Sequence, residues 1–595
     1  MGAGGLPLAG RLKSAREDLR AVRRALRALP HLRPGARTTI ATLLAGRARR
    51  APSATGLIFE DRHWSWRELD ETVNRWAREL AARGVRAGDV VALVMDNRAE
   101  YLIAQTALVR LGAVVAFVNS HLSGDALRHA ITVSKATALI VGVEHAQETA
   151  ALRPVLTDIP DTRWWTVGDG GDAAAADSLD AAAARQSSLP LDGVVPRQAA
   201  TGCYIYTSGT TGLPKAAIVT HRRWLLAAAG FAFVLADAGE QDVIYCTLPL
   251  YHSSGQFAGW GGALFSGAAL LLRRRFSTRE FWRDVHAHRA TVFLYIGELC
   301  RYLLNAPPQP LERGHHLRVA VGNGLRETIW ADFQQRFGIP LVREFYGATE
   351  GNVALLNVEG RPGYVGRLRP GMAVVACDPD TSEPLRDAQG RCRRVAEGET
   401  GLLIGFINPV MAFDGYLDRK ATSKKIIAGV FFSRDRWFNT GDLVRVDAGG
   451  WVAFADRAGD NYRWKGENIS AGEVESALHG CAGLRESIVY GVEVPGAEGR
   501  AGMAALIVDD GFSIDTFADW VRTRVPTFQQ PRFVRILGDA ARTTGTFKYQ
   551  KAAYRADGFD PARVADPLYV RVAGGYRLLD AAAHEAIRQG RQAVD

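Results

Sequence analysis

Short apolar runs alternate with longer stretches of helical spacing along most of the chain. Stretches such as 67–83 and 98–111 repeat apolar residues every three or four positions and predict helices. Seven apolar runs predict buried strands, at residues 90–95, 113–119, 138–142, 203–207, 243–247, 291–296 and 317–322. Because parallel strands need helical connections, the pattern predicts an α/β fold of largely parallel sheets wrapped by helices.

Two regions depart from this alternation. Residues 168–200 are low in complexity and predict a surface loop or linker. From residue 456 the pattern changes again, and the remainder is long enough for a separate small α+β domain. We therefore predict three parts, namely an N-terminal extension over 1–37, a large domain over 38–455 and a C-terminal domain over 456–595.

Composition narrows the class of protein. An apolar content of 47% and a charged content of 23% are ordinary for a globular protein with a sizeable core. The longest apolar run, 261–272, is short of the ~20 residues that cross a bilayer and predicts a buried helix and strand. No secretory signal is expected, since the N-terminus has no apolar core before a cleavage site. The six scattered cysteines form no C-x-x-C pair, which predicts reduced thiols in a cytoplasmic setting and no zinc site.

The net charge of +10 is concentrated at the N-terminus, where residues 1–36 hold eight Lys/Arg and two acidic residues, a net charge of +6. One face of a predicted helix carries the apolar residues Leu12, Ala15, Leu19, Val22, Leu26 and Leu29. Two interpretations stay open: residues 10–30 bind an anionic membrane surface, or the apolar face docks on the protein's own body. Nucleic-acid binding is not expected, because the rest of the chain has no basic run interleaved with aromatic residues.

The stretch YTSGTTGLPK, residues 206–215, has the composition of a phosphate-binding loop. Glycines let backbone N–H groups turn toward an anion, hydroxyl groups add hydrogen bonds, and Lys215 supplies a positive charge. The stretch does not fit G-x-x-x-x-G-K-[ST], and the chain has no G-x-G-x-x-G, so neither a P-loop nor a Rossmann dinucleotide site is predicted. Glycine and threonine clusters also form plain turns, but the unbroken string with its terminal lysine favours a phosphate.

Further motifs lie far apart in the sequence, and each alone is also typical of an ordinary turn or surface. They are LPLYHSSG (248–255), VGNGL (321–325), REFYGATEGN (343–352), WFNTGDL (437–443), ADRAGDNYRWKGENIS (455–470), VEVPGAEGRAGMAA (492–505) and TTGTFKYQK (543–551). In this order, and with the loop at 206–215, they resemble the adenylate-forming superfamily of acyl-CoA synthetases, luciferases and peptide-synthetase adenylation domains. The resemblance covers roughly residues 40–570. The strings FYGATEGN, DNYRWKGENIS, VEVPGAEGRAGMAA and TGTFKYQK resemble one branch in particular, the fatty-acid transport proteins or very-long-chain acyl-CoA synthetases.

The resemblance implies a fold and a two-step reaction. The expected fold is a large N-terminal domain of parallel sheets with a β-barrel-like subdomain, followed by a small mobile α+β C-terminal domain. A carboxylate first attacks the α-phosphate of ATP to give acyl-AMP and pyrophosphate, and the thiol of coenzyme A then takes the acyl group. Two anions must approach in the first step, so positive charge and hydrogen-bond donors are needed where charge develops.

The resemblance also implies roles for individual residues. Glu350 would hold Mg²⁺, Thr349 would bond a phosphate oxygen, His252 would lie at the acyl entrance with a catalytic role, and Lys548 would be the catalytic cation. The hinge for rotation of the C-terminal domain would be Gly459 and Asp460, although many relatives carry Asp or Lys at the hinge position itself. The coenzyme A face would include Lys465, Gly466 and Glu467. ATP or AMP would be bound by Thr207, Ser208, Gly209, Thr210, Thr211, Gly212, Lys215, Gly322, Asn323, Tyr346, Gly347, Asp442 and Arg457.

The leading hypothesis is a long- or very-long-chain fatty acid:CoA ligase that uses ATP, Mg²⁺ and coenzyme A. One alternative delivers the same acyl-AMP to an acyl carrier protein. Another is a membrane-associated fatty-acid carrier, against which Lys548 and Glu350 argue because a carrier needs neither. The expected location is the cytoplasm, with peripheral attachment at the inner face of the cell membrane as an option. The apolar stretches 253–265 and 295–305 are the predicted acyl-pocket walls, and they do not reveal the chain length.

Overall fold

A computed structural model describes most of the chain. The described residues are 20, 23–33, 35–168, 178–191, 194–208, 214–378, 382–409, 411–457, 462–464, 467–495, 497, 499–538, 549, 551–592 and 594. They form two compact units. The first unit runs to Arg367 and also takes Ile407–Ile426, and the second consists of Leu368–Phe406 and the chain from Ile427 onward.

Two sheets form the framework of the first unit. The first sheet has the strand order β14-β13-β12-β11-β9-β10-β1-β2 and is parallel from β13 to β1. The second has the order β6-β5-β3-β4-β7-β8 and is parallel except for the β7–β8 pair. The strands are β1 (Thr55–Phe59), β2 (Arg62–Ser65), β3 (Val90–Val94), β4 (Val114–Phe117), β5 (Ala138–Gly142), β6 (Trp164–Val167), β7 (Thr201–Ser208), β8 (Pro214–Thr220), β9 (Val243–Cys246), β10 (Ala269–Leu272), β11 (Val292–Ile296), β12 (Val319–Asn323), β13 (Val342–Gly347), β14 (Ala354–Asn357) and the short β15 (Gly366–Arg367).

Helices follow the strands as the alternating pattern predicts. Thr39 and Ser65 each begin a helix with a capping box, which satisfies backbone N–H groups that the first turn leaves free. Two π-helical segments, Gly230–Leu235 and Ser254–Gly261, are buried in this unit. The α-helices are Leu29–Leu32, Ile40–Arg50, Trp66–Ala82, Ala99–Arg110, Gly124–Val133, Ala146–Ala150, Leu179–Ala184, His221–Ala229, Gly262–Ser266, Phe281–Ala287, Gly297–Asn305, Glu327–Phe337 and Arg419–Lys424.

The seven predicted strands are confirmed as β3, β4, β5, β7, β9, β11 and β12, and the predicted parallel pairing is confirmed with them. The run at 261–272 forms the predicted buried helix and strand. These strands read as continuous apolar runs because helices cover both faces of a parallel sheet. Every residue of β5 is buried, for example.

The predicted loop over 168–200 is wrong for residues 179–184, which form the helix Leu179–Ala184. Ser178 caps this helix by accepting from the Ala181 N–H, and the alanines that look like low complexity are strong helix formers. Leu179 and Ala183 are fully buried, so the segment is part of the core. Residues 169–177 and 192–193 lie outside the described residues.

The described part of the N-terminal extension docks through its basic face. Arg24 makes a 2.8 Å ion pair with Asp237 and is only 14% exposed, whereas Leu26 and Leu29 are 51% and 55% exposed. Of residues 23–33, the leucines of the predicted apolar stripe therefore do not face the protein's body. No helix in the described part of the chain is long and apolar enough to cross a membrane.

The second unit is rich in antiparallel strands. In one sheet the neighbouring strands follow the order β20-β19-β17-β16, and a five-stranded sheet has the order β23-β24-β25-β26-β27. The α-helices among the described residues of this unit are Ala471–Leu478, Ile514–Arg524, Lys551–Asp557 and Ala581–Arg588. The remaining strands of the chain are β16 (Met372–Val375), β17 (Thr400–Phe406), β18 (Ile426–Ala428), β19 (Arg436–Asp447), β20 (Trp451–Arg457), β21 (Tyr462–Trp464), β22 (Glu467–Ile469), β23 (Leu484–Glu493), β24 (Arg500–Val508), β25 (Phe533–Ile536), β26 (Leu568–Val572) and β27 (Gly575–Leu578). The division at 37/38 and 455/456 stays a prediction.

Candidate functional site

The carboxyl ends of the parallel strands carry many of the predicted site residues. Thr207 and Ser208 end β7 in the second sheet, whereas Gly322 and Asn323 end β12 in the first. Tyr346 and Gly347 end the neighbouring strand β13. Ligands of open α/β sheets bind at this edge, since loops and helix N-termini gather there.

The phosphate-loop motif lies between two antiparallel strands, which we call the phosphate hairpin (β7 and β8). Thr207 lies opposite Lys215 in the register, so the hairpin brings one of its hydroxyl residues and its lysine to the same level. The predicted residues Gly209, Thr210, Thr211 and Gly212 lie outside the described residues, as does the side chain of Ser208.

The segment Gly322–Leu325 consists of the last two residues of β12 and the two residues that follow. We call it the nucleobase wall, after the role that the resemblance implies for Gly322 and Asn323, and it is packed too closely for a side chain at Gly322 or at the neighbouring Gly297. A Cβ added to Gly322 would overlap the carbonyl oxygen of Tyr295. A Cβ added to Gly297, which begins the helix after β11, would overlap the carbonyl oxygen of Gly324. Glycine is required at both positions because backbone atoms, which cannot rotate away, occupy the space.

The side chain of Glu344 supports the nucleobase wall from β13. It is 4% exposed, and its Oε1 accepts from the Leu325 N–H at 2.6 Å and from the Tyr295 hydroxyl at 3.3 Å. Burial raises the pKa of Glu344 to about 8, although these hydrogen bonds oppose the shift. The carboxyl group is therefore an internal hydrogen-bond acceptor that is largely neutral at neutral pH.

Thr349 and Glu350 lie in the loop after β13. The Thr349 hydroxyl donates to Ser253 Oγ at 3.3 Å, which joins this loop to the loop of His252. The Tyr416 hydroxyl donates to Glu350 Oε1 at 2.8 Å and lies next to the Thr207 side chain. Burial and the neighbouring Glu350 raise the pKa of Tyr416 well above its ordinary value, so the hydroxyl remains a donor.

Tyr416 belongs to residues 411–417, which we call the strap. The strap runs beside β8: the Ile218 N–H donates to the Gly415 carbonyl at 2.9 Å, and the Leu417 N–H donates to the Ala216 carbonyl at 3.0 Å. Sequence reasoning missed Tyr416. A tyrosine in a connecting segment carries no local sequence signal. Its role is revealed only by partners that lie at least 66 residues upstream.

Arg223 was also missed by sequence reasoning. It donates to the Thr349 carbonyl at 3.0 Å and to the Ala412 carbonyl at 3.1 Å, and its Nε lies 3.5 Å from Asp414 Oδ2. Burial lowers the pKa of Arg223, while Asp414 and Glu350 act in the opposite direction. The guanidinium thus fastens the loop that carries Glu350 to the strap.

His252 follows a loop that is held by the buried Asn97. The Asn97 side chain donates to the Leu248 carbonyl at 2.9 Å and accepts from the Leu250 N–H at 2.8 Å. The rings of Tyr251 and His252 are 4.6 Å apart. His252 is half-buried, and its loop meets that of Thr349 through Ser253.

One group of three potential metal ligands occurs among the described residues, and it does not include Glu350. It consists of Asp96, Glu144 and His145 at the carboxyl edge of the second sheet. His145 Nε2 bonds Asp96 Oδ1 at 3.0 Å, the backbone N–H of Asp96 donates to Glu144 Oε1 at 2.9 Å, and Glu144 pairs with Arg98 at 2.9 Å. Glu350 alone still suits Mg²⁺ bound with ATP, because that ion takes one or two carboxylates and otherwise phosphate oxygens and water.

The remaining predicted residues belong to the second unit or lie outside the described residues. Asp442 on β19 lies opposite Arg457 on β20, and its N–H donates to Thr440 Oγ1 at 3.0 Å. Glu467 begins β22, but the side chains of Arg457 and Glu467 are not described. The residues outside the described part are Lys548, Gly459, Asp460, Lys465 and Gly466.

Comparison with known proteins finds family models and relatives that match most of the chain. The model of the AMP-binding enzyme family matches residues 44–401, and that of the AMP-binding enzyme C-terminal domain matches residues 473–548. The chain is 40% identical over 573 residues to the medium/long-chain-fatty-acid–CoA ligase FadD6 of Mycobacterium tuberculosis, covering 94% of this chain and 93% of that protein. It is 39% identical to long-chain fatty acid transport protein 6 of Mus musculus, over 90% of this chain and 88% of that one.

The fold is shared with solved adenylate-forming enzymes. The crystal structure of the anthranilate CoA ligase AuaEII in complex with anthranoyl-AMP matches with a TM-score of 0.74 at 22% identity. The match covers 87% of this chain and 97% of that structure. The expected α/β fold with parallel sheets in a large unit and a second, strand-rich unit is confirmed. By its sequence, its two family domains and its fold, the chain belongs to the AMP-binding enzyme family.

Proposed function

We propose that this chain is an AMP-forming ligase that joins a long- or very-long-chain fatty acid to coenzyme A. The observation that carries the proposal is the shared contact of Thr207, on the phosphate hairpin, and Glu350 with one tyrosine hydroxyl. Loop hydroxyls beside a carboxylate suit a nucleoside triphosphate and its Mg²⁺. The similarity to FadD6 and to long-chain fatty acid transport protein 6 supports a fatty acid as the acid substrate.

In the first step the fatty carboxylate forms a bond to the α-phosphorus of ATP, and pyrophosphate leaves with the electrons of the broken P–O bond. Residues Thr207–Lys215 hold the outer phosphates, and Thr349 donates to a phosphate oxygen. Tyr346 and the nucleobase wall, through Gly322 and Asn323, enclose adenine next to Gly347. Glu350 holds Mg²⁺, which supplies charge neutralisation when bound.

Further residues supply the ribose contacts and the groups that change between the two steps. Asp442 accepts hydrogen bonds from the ribose hydroxyls, for which a carboxylate has enough acceptor sites, and Arg457 binds ribose or phosphate oxygens. Gly459 and Asp460 form the hinge. Lys465, Gly466 and Glu467 form the surface that meets coenzyme A in the second step, when the thiol takes the acyl group and AMP leaves.

Lys548 is the proposed cation between the fatty carboxylate and the α-phosphate, with His252 at the acyl entrance. The variant Lys548→Ala should lower acyl-AMP formation by roughly 10²–10³-fold, the usual cost of removing one charge-stabilising donor. Thioester formation from supplied acyl-AMP should stay close to wild type, because that step does not use the lysine. Single-turnover assays of the two half-reactions measure both rates. Equal loss in both halves would contradict this division of roles.

The decisive experiment is pyrophosphate release by the purified protein with ATP and Mg²⁺, across fatty acids of increasing length, with and without coenzyme A. The proposal predicts release that requires a long acid and turns over repeatedly only when coenzyme A is present. A single burst that coenzyme A does not relieve would indicate an acyl carrier protein as the acceptor. Fatty-acid binding without any pyrophosphate would indicate a carrier rather than a ligase.

Peripheral membrane attachment is the second part of the proposal. Arg24 holds residues 23–33 on the protein, and Leu26 and Leu29 are half-exposed beside Arg27, whose side chain is 58% exposed. Exposed leucines among arginines suit an anionic lipid surface. All six cysteines are free thiols, which supports a reducing compartment and hence the inner face of the cell membrane.

The double variant Leu26→Ser/Leu29→Ser tests the attachment. It should weaken binding to phosphatidylglycerol-containing vesicles about tenfold or more, because burial of a leucine side chain contributes roughly 1.5–3 kcal/mol. Leu189→Ser is the control, because Leu189 is 68% exposed elsewhere in the same unit. Vesicle sedimentation measures the affinity. If the double variant binds as tightly as wild type, these leucines are not the membrane contact.

A further inference from the structure

The hydroxyl group of Tyr416 joins two parts of the proposed active site that are far apart in sequence. It donates to Glu350 Oε1 at 2.8 Å and lies next to the side chain of Thr207. Tyr416 itself is only 7% exposed. One buried hydroxyl thus fixes the distance between the end of the phosphate hairpin and the carboxylate after β13.

Tyr416 can do this because its own backbone is fixed on both sides. The strap pairs with β8 through Gly415 and Leu417, and the Tyr416 N–H donates to Thr422 Oγ1 at 2.9 Å. Its ring packs with Ala217 and Ala421 in a small buried cluster. The hydroxyl therefore has little freedom to follow a carboxylate that moves.

Hydrogen bonds from Arg223 and Asn352 also tie the loop of Glu350 to the strap. Arg223 bonds the carbonyl of Thr349, which immediately precedes Glu350, and its other contacts are on the strap at Ala412 and Asp414. The strap and the loop of Glu350 are thus tied together twice, once through a guanidinium and once through the Tyr416 hydroxyl. Asn352 adds a third tie by donating to the Met411 carbonyl at 2.9 Å.

We infer that Tyr416 is a positioning residue that holds the Glu350 carboxylate against the phosphate hairpin for the metal–nucleotide complex. The inference rests on the proposed function of this site and extends it to a residue of the strap. A carboxylate has two oxygens, and the bond from Tyr416 engages Oε1, which leaves Oε2 for a divalent cation. Fixing the carboxylate in advance removes the rotamer entropy that metal binding would otherwise cost.

The test is Tyr416→Phe, which removes the hydroxyl and keeps the ring in its apolar cluster. Tyr245→Phe is the matched control. Its hydroxyl also donates to a buried carboxylate in the same unit, Asp284 at 2.9 Å, but contacts neither Thr207 nor Glu350. Both variants lose one hydroxyl–carboxylate hydrogen bond, so both should lose a similar amount of thermal stability.

Two measurements separate positioning from general structure. The first is Mn²⁺ affinity, titrated by electron paramagnetic resonance in the presence of a non-hydrolysable ATP analogue. The second is steady-state pyrophosphate release, which gives kcat and the KM for the metal–ATP complex. Tyr416→Phe should weaken Mn²⁺ binding and raise the KM, each roughly tenfold, because a lost hydrogen bond to a charged group has an effect of this size. The effect on kcat should be smaller. Tyr245→Phe should change neither beyond twofold.

Mn²⁺ affinity and KM within twofold of wild type in Tyr416→Phe would overturn the inference, as would equal shifts in both variants. Absence of pyrophosphate release by the wild-type protein would instead refute the proposed function, which the wild-type assay reveals by itself. If Tyr416→Phe unfolds at the assay temperature, the variant Thr422→Val removes the acceptor of the Tyr416 N–H and loosens the strap without altering any proposed ligand-binding residue. It should then give a Mn²⁺ shift in the same direction, and no shift would count against the inference.

Discussion

Glu344 and Glu350 are six residues apart, yet they are held in place in opposite ways. Glu344 lies in the first sheet and is held from neighbouring strands, because Leu325 follows the adjacent strand β12 and Tyr295 lies on β11, the next strand beyond it. Glu350 lies beyond the sheet and is held by Tyr416, a residue of the strap. The nucleobase wall is therefore built from the sheet's own register, whereas the position of the Glu350 carboxylate depends on a connection made much later in the chain.

The comparison indicates which changes each region tolerates. The nucleobase wall is closely packed and internal, so steric overlap or loss of a buried acceptor should damage it severely. A third region, the carboxyl edge of the second sheet with Asp96, Glu144 and His145, is partly exposed and charged. Its ion pairs should therefore contribute much less to stability. The predictions below follow that order.

The largest effect is expected for Gly297→Ala. The new methyl group would overlap the carbonyl oxygen of Gly324, so either the helix beginning at Gly297 or the nucleobase wall must move. We expect a loss of about 3 kcal/mol or more in the free energy of unfolding, at the upper end of overpacking effects, and a large loss of ATP affinity. Denaturant unfolding and ATP titration measure the two quantities.

Gly230→Ala is the control for Gly297→Ala, since no atom lies within 4 Å of a Cβ at that position and its φ is −59°. It should be neutral or slightly stabilising. A Gly297→Ala protein with wild-type stability and ATP affinity would show that the nucleobase wall adapts easily, and the comparison would fail.

The next largest effect is expected for Glu344→Leu, which leaves the Leu325 N–H without its buried acceptor. The expected loss is about 1–3 kcal/mol of unfolding free energy, together with a weakened affinity for ATP. Glu344→Gln keeps an acceptor oxygen and should restore most of the loss near neutral pH. If Glu344→Gln loses as much unfolding free energy as Glu344→Leu, the negative charge of Glu344 matters and its interpretation as a neutral acceptor is wrong.

Glu344 also predicts a pH dependence. Its folded pKa of about 8 lies above its unfolded value near 4.3, so the folded state binds more protons in this interval. The contribution of Glu344 to stability therefore falls as pH rises from about 4.3 to 8, and Glu344→Gln removes that decline. The difference between the unfolding free energies measured at pH 5 and at pH 8 should be smaller in Glu344→Gln than in the wild type.

The smallest effect is expected at the edge of the second sheet, where His145 Nε2 and Asp96 Oδ1 are 3.0 Å apart. The bond to Asp96 raises the pKa of His145, and the same bond lowers that of Asp96. The pair should stabilise the fold between about pH 4 and pH 6.5, the unfolded values, and weaken as pH rises through the folded pKa of His145. Below this window the contribution is lost as Asp96 is protonated.

We expect His145→Gln to cost roughly 0.5–1 kcal/mol at pH 5.5 and less at pH 8.5, since Asp96 is one-third exposed and solvent screens the pair. The measurement is the difference in unfolding free energy between variant and wild type at the two pH values, in which other titrations cancel. A cost that grows with pH would contradict the assignment.

The sequence predicts the parts of the molecule whose signal is local. The strands of the parallel sheets appear as apolar runs because they are buried on both faces, and the phosphate loop appears as a string of glycines and hydroxyls. The helix Leu179–Ala184 was missed because alanine repeats give the same composition in a helix and in a low-complexity linker. Tyr416 and Arg223 were missed because their roles exist only after the strap has returned to β8.

The return of the strap to β8 also has a consequence for how the protein is made. The chain leaves the first unit at residue 367, forms residues 368–406 of the second, and only then supplies 407–426 to the first. During synthesis the free edge of β8 thus stays open until residues 411–417 leave the ribosome, and open strand edges are prone to pair with other chains. A fragment that stops before the strap should emerge with this edge exposed and should aggregate more readily than the full-length chain.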